Sequence, residues 1–85
     1  MMTHSKEELA RIRWNCRRGM LELDIILENF FDNHYLQLAP ADQKRFIELL
    51  ACTDQQLWGW LMQNVKPENF DIGKMTAMIL NANNL

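Results

Sequence analysis

Apolar residues return along this chain at intervals of three and four rather than two, with few glycines or prolines to interrupt them. That period marks helices that each turn one face to a core. Leu9, Ile12 and Cys16 form the first stripe. Ahead of it, Ser5-Lys6-Glu7-Glu8 is a capping-box sequence: the Ser5 hydroxyl accepts from the Glu8 backbone and the Glu8 side chain reaches back. A first helix is predicted from this cap to about Arg18, closed by Gly19 in a left-handed conformation. A second runs from about Met20 to Asn33, with Leu23, Ile26, Leu27, Phe30 and Phe31 as its apolar face. On another face Asp24, Glu28 and Asp32 make an acidic ridge at i, i+4 spacing. Like charges so placed cost about a few tenths of a kcal/mol each. The ridge reads as a solvated surface or as a seat for a basic partner.

Pro40 suits the first turn of a third helix, which runs to about Ala51 and buries Phe46, Leu49 and Leu50. Thr53-Asp54-Gln55-Gln56 is a second capping-box sequence and opens a fourth helix to about Asn64. Leu57, Trp58, Leu61 and Met62 supply its core face, with Trp60 at a flank. Lys66-Pro67-Glu68-Asn69 reads as a turn, and Asp71 as the cap of a last helix carrying Ile72, Met75, Ile79 and Leu80. No period-two alternation or hairpin dipeptide occurs. The expected fold is all-α: residues 1–85 as one domain, a compact bundle of about five short helices.

Composition sharpens this picture at two points. At 85 residues the core is thin, so some of the six Met and three Trp must lie near the surface, where they suit an adaptable binding face. Charge is also unevenly spread. Residues 1–20 carry five bases against two acids, and residues 21–85 carry four bases against nine acids. The sign changes at Gly19. A basic first helix suggests nucleic acid, but the acidic remainder repels phosphate at short range. The polarity is read as a device for a protein partner, with no nucleic acid.

Chemistry of other kinds is poorly supplied. His4, Cys16, His34 and Cys52 share no CxxC, HxxxH or HExxH spacing, so no metal site is expected. Gly19, Gly59 and Gly73 are isolated and form no phosphate loop. A Cys–His nucleophile pair stays open on sequence alone, yet a bundle this small has little volume for a water-excluding pocket. No catalytic residue is assigned: the reading is an interaction protein, not an enzyme. Two cysteines make no disulfide framework, nothing resembles a secretory signal, and no apolar run nears the roughly 20 residues that span a bilayer. The expected place is the cytoplasm, with reduced thiols and no transmembrane segment.

The stretch Trp14-Asn15-Cys16-Arg17-Arg18-Gly19-Met20-Leu21-Glu22-Leu23-Asp24 admits two readings. In the first, Gly19 is a helix cap, Arg17 and Arg18 sit at the negative end of one helix dipole, and Glu22 and Asp24 sit at the positive end of the next. In the second, Arg18 and Glu22 project from one corner beside a residue without a side chain. A partner's backbone can then approach closely while both charges engage it, with Trp14 and Met20 adding apolar area.

Arg18-Gly19-Met20-Leu21-Glu22 carries the RGxxE signature and resembles the small flavinylation factors of succinate dehydrogenase, known in bacteria and mitochondria. The resemblance extends through Phe30-Phe31, Tyr35, Lys44-Arg45-Phe46 and Leu49-Leu50 to Asp54, Leu57 and Trp60-Leu61-Met62, roughly residues 9–65. Gln55 departs from it, since the family commonly has proline there, and the last helix matches poorly. The resemblance implies a bacterial assembly factor that binds the flavoprotein subunit of succinate dehydrogenase, and also that of fumarate reductase. Such a factor promotes covalent attachment of FAD to a client histidine. It implies that FAD is the client's cofactor and that none is stably bound here. By position it assigns the contact surface to Arg18, Gly19 and Glu22, with Arg17, Asp24, Trp14 and Arg11 in support. An antitoxin-like module binding a toxin partner is the alternative, and would use the same corner.

Overall fold

The computed structural model describes residues 5–83. Helix α1, Lys6–Trp14, begins with both halves of the expected capping box: the Ser5 hydroxyl accepts from the Glu8 N–H, and the Glu8 carboxylate from the Ser5 N–H. It ends four residues earlier than the sequence pattern predicts. Beyond Trp14 the backbone tightens into i→i−3 bonds, from the Cys16 N–H to the Arg13 carbonyl and from Arg17 to Trp14, and then leaves the helix. Helix α2, Leu21–His34, follows and passes directly into a short 3-10 turn, Tyr35–Gln37. That turn was not expected. It swings Tyr35 fully into the core, stacked on Phe31 at 5.0 Å and tilted against Phe46 at 5.6 Å.

Helix α3, Pro40–Leu50, opens on its proline as expected. Helix α4, Asp54–Met62, has the second capping box, with Thr53 and Gln56 reciprocally bonded, so Gln55 does not disturb the start. Helix α5, Phe70–Ala82, is capped by Asn69, whose side-chain oxygen accepts from the Ile72 N–H at 3.0 Å. Asp71, the expected cap, instead lies in the first turn and holds Arg45 at 2.8 Å. An asparagine two positions earlier reaches the orphan N–H first, which frees the aspartate to bridge α5 to α3.

The core is one cluster fed by every helix: Ile12 and the connection residue Cys16, then Leu23, Leu27 and Phe30, Phe46 and Leu49, Leu57 and Leu61, and Met75 and Ile79. Helix α3 packs chiefly on α5, and α2 lies against α4 and α5. The radius of gyration, 12.0 Å, is what a compact chain of this length should have, about 12 Å. Helix α1 also meets α2 through charge. Arg13 forks onto Asp32 at 2.9 and 3.0 Å and lies 3.9 Å from Glu28. Two acids of the α2 ridge thus receive α1, and the third, Asp24, receives the connection.

Candidate functional site: the corner between the first two helices

Gly19 sits in the α1–α2 connection with φ +82°, the left-handed region in which side chains are strained. It is exposed, and a methyl group built on it would meet nothing within 4 Å. The spot is flat, as the second sequence reading requires, but the glycine does not close a helix. Its conformation is fixed by Asp24, in the first turn of α2. One Asp24 oxygen accepts from the Arg18 N–H at 2.6 Å and the other from the Gly19 N–H at 3.3 Å. Met20 offers no side-chain cap to α2, so the carboxylate that reaches back is the polar anchor of this joint.

Arg18 points inward. Its Nε–H donates to Asp54 at 2.7 Å, and its terminal nitrogens donate to the carbonyls of Asn15 at 2.9 Å, Leu50 at 2.9 Å and Cys52 at 2.8 Å. The Leu50 and Cys52 carbonyls lie at the end of α3, where the helix leaves acceptors unsatisfied and a cation is favoured. With only 15% of its side chain exposed, the guanidinium ties the end of α1 to the α3–α4 turn and to the start of α4. The sequence suggests a fork open to a partner; the structure engages that fork within the protein.

Of the remaining candidates, all but Met20 face outward. Glu22 is exposed and makes no ion pair or hydrogen bond with the described residues. Arg11 is likewise exposed on α1, one turn before Trp14. Trp14 is 67% exposed, and the Arg17 guanidinium lies 5.3 Å from its ring centre, a cation–π contact that holds both at the surface. Met20 is half-buried and packs on the core. Sequence reasoning missed Leu21, 76% exposed, and Ile25, 48% exposed. Their signal was present: they are one helical turn apart and fall off the Leu23–Leu27–Phe30 stripe. Asp54 also had no assigned role, because its link to Arg18 spans 36 positions and leaves no local trace.

Neither thiol is poised for chemistry. Burial pushes the Cys16 thiol from its ordinary 9.0 up to about 12, and burial also raises Cys52. Among the described residues no group of three or more His, Cys, Asp or Glu could hold a metal ion, and His4 lies outside those residues. A hollow of about 860 Å³ between α2 and the ends of α4 and α5 is lined by apolar residues, asparagines and His34, and touches the corner only through Ile25.

A small helical bundle with an open glycine, exposed charges of both signs that are unpaired among the described residues, and large exposed apolar side chains around it has the features of a protein-binding module. Comparison with known proteins narrows the class. The family described as "Flavinator of succinate dehydrogenase" matches residues 10–83, and the chain belongs to that family. The match includes α5, beyond the stretch where the sequence resemblance was drawn. Among curated relatives, "FAD assembly factor SdhE" of Pseudomonas aeruginosa is 49% identical over 73 residues, 86% of this chain and 87% of the relative. The protein of the same name from Aliivibrio fischeri is 41% identical over 80 residues, 94% of this chain and 93% of the relative. A solution structure described as a UPF0350 protein superposes with a TM-score of 0.77 at 37% identity, covering 95% of this chain and 86% of the other.

Proposed function

We propose that this chain binds the flavoprotein subunit of succinate dehydrogenase through the Gly19 corner and promotes covalent attachment of FAD to a histidine of that subunit. The flavoprotein subunit of fumarate reductase is a second client of the same surface. The client supplies the histidine and holds the FAD, so the reacting atoms belong to it; this chain contributes no acid, base or nucleophile and holds no flavin of its own. Its contribution is differential affinity. By binding preferentially the client conformation in which histidine and flavin are aligned, it raises the population from which the bond forms. The process takes place in the cytoplasm; no helix among the described residues is long and apolar enough to cross a membrane.

One observation carries the reading in a chain of this family: Glu22, Arg17 and Arg11 stand at the surface with no carboxylate or cation partner among the described residues, around a glycine that leaves room for another backbone. Exposed charges of both signs gathered around an open glycine are groups available to a partner. A charge-assisted hydrogen bond from Glu22 to the client contributes about 1.5–3 kcal/mol. The test is covalent flavin formed on the purified apo-flavoprotein subunit incubated with FAD and this protein. The unsubstituted protein is expected to accelerate the reaction, and Glu22→Ala to require at least about tenfold more protein for the same rate. Equal potency of the two would remove Glu22 from the interface.

A further inference from the structure

We propose that Asp54 is a positioning residue of the client-binding corner, and that Arg18 serves the corner from behind rather than by touching the client. The inference rests on the corner being the client surface. It starts from how the backbone at residues 18 and 19 is held. On one side the two amide N–H groups are fixed by Asp24 on α2. On the other, the Arg18 side chain crosses to Asp54 on α4 and to carbonyls at the ends of α1 and α3. The exposed glycine is thus held from the starts of α2 and α4 and from the ends of α1 and α3.

Four hydrogen bonds within the protein leave little of the guanidinium fork for a partner. Recruiting it to the client would leave the carbonyls at the end of α3 without their donor and Asp54 without its cation, an exchange that yields little net affinity. Asp54 supplies the neutralising charge that keeps the arginine inside. Its own side chain is half-exposed, yet Thr53 and Gln56 cap α4 without it. Removing the carboxylate therefore loosens Arg18 while leaving the helix start in place. Lysine cannot replace the arginine, because a single ammonium does not reach acceptors spread over three chain segments.

The test is a double-mutant cycle on client binding, read with the Gly19 amide resonance of the free protein. Asp54→Ala is expected to weaken binding of the flavoprotein subunit by about tenfold, and Asp54→Glu to restore most of it. Arg18→Lys should weaken binding at least as much, and the double variant no more than Arg18→Lys alone, because the two act in series. In Asp54→Ala the Gly19 resonance should move while those of Met75 and Ile79 in α5 stay, a local signature that general destabilisation would not give. Wild-type affinity in Asp54→Ala beside a loss in Arg18→Lys would overturn the proposal in favour of direct contact by Arg18. Additive losses would overturn it too, assigning Asp54 a contact of its own. Failure of the unsubstituted protein to bind the client would overturn the functional reading beneath it, a result distinct from both.

Discussion

At Gly19 the strain and the contact can be separated by chirality. A left-handed φ of +82° disfavours any L side chain even though nothing stands within 4 Å of a new methyl group. Replacing Gly19 with L-alanine is therefore expected to destabilise the protein by about 1–2 kcal/mol through the backbone alone. D-alanine, introduced by chemical synthesis, accepts this φ and should leave the melting temperature near that of the parent while placing a methyl on the flat spot. If the spot receives a client backbone, both variants bind the client weakly; full binding by the D-alanine protein would show that the glycine is needed only for its conformation. At Cys16 the expectation concerns pH. The folded thiol keeps its proton up to about 12, whereas the ordinary value is 9.0. The folded state thus binds more protons between these values, and stability is complete below 9.0 and falls as pH rises toward 12. Denaturant melts at rising pH should show that decline, and Cys16→Ala, though less stable throughout, should show a shallower one. An identical slope in both proteins would assign the decline to other groups. The glycine was legible in the sequence because few residue types tolerate such a turn. The second role of Asp24 was not. An acid in a first helical turn suits the dipole, and nothing nearby reveals that its oxygens hold the preceding loop.

Helix boundaries repeat this lesson at the next scale. The starts of α1, α3 and α4 were readable because a capping box or an N-terminal proline is a local device, decided within four residues. The end of α1 was not, because it is set by distant partners. Arg18 is drawn to the α3–α4 turn and its N–H to Asp24, and neither is compatible with a helix continued to Arg18. For α5 the sequence pointed to Asp71, but Asn69 two positions earlier takes the cap and Asp71 bridges to Arg45 on α3, a partner 26 positions away that leaves no local trace. The acidic ridge of α2 was visible as a pattern, but its partner proved to be α1 of the same chain. Arg13 holds the Asp32 carboxyl below its usual range, chiefly by hydrogen bonding. That contribution is present above the ordinary 3.8 and is lost as pH falls through the lower folded value. Both side chains are more than two-fifths exposed, so solvent screening keeps the pair's contribution small. Asp32→Asn should lower stability only slightly at neutral pH and converge with the parent under acid, as measured by urea melts. A gap persisting below the folded value would point to a role other than the ion pair.

Over the whole molecule, folding changes the meaning of the charge asymmetry. Two of the five bases in residues 1–20, Arg13 and Arg18, are matched by acids on α2 and α4, which ties the basic segment to the acidic remainder. Arg11 and Arg17 stay at the surface, Arg17 against the exposed Trp14, so part of the polarity builds the bundle and part remains exposed to solvent. The aromatic cluster of Phe30, Phe31, Tyr35 and Phe46 gives this small chain a firm centre, and Cys16 and Met20 anchor the open corner at Gly19 to the core from either side. The most direct measurement follows the product in cells: covalent flavin fluorescence of the succinate dehydrogenase flavoprotein on a denaturing gel. A strain lacking this gene would be compared with strains complemented by the parent, Gly19→Arg and Glu22→Ala, with soluble levels of each variant checked in parallel. A band that fades in the deletion, returns with the parent and stays weak with both variants is the predicted result. A band of equal strength in every strain would contradict it.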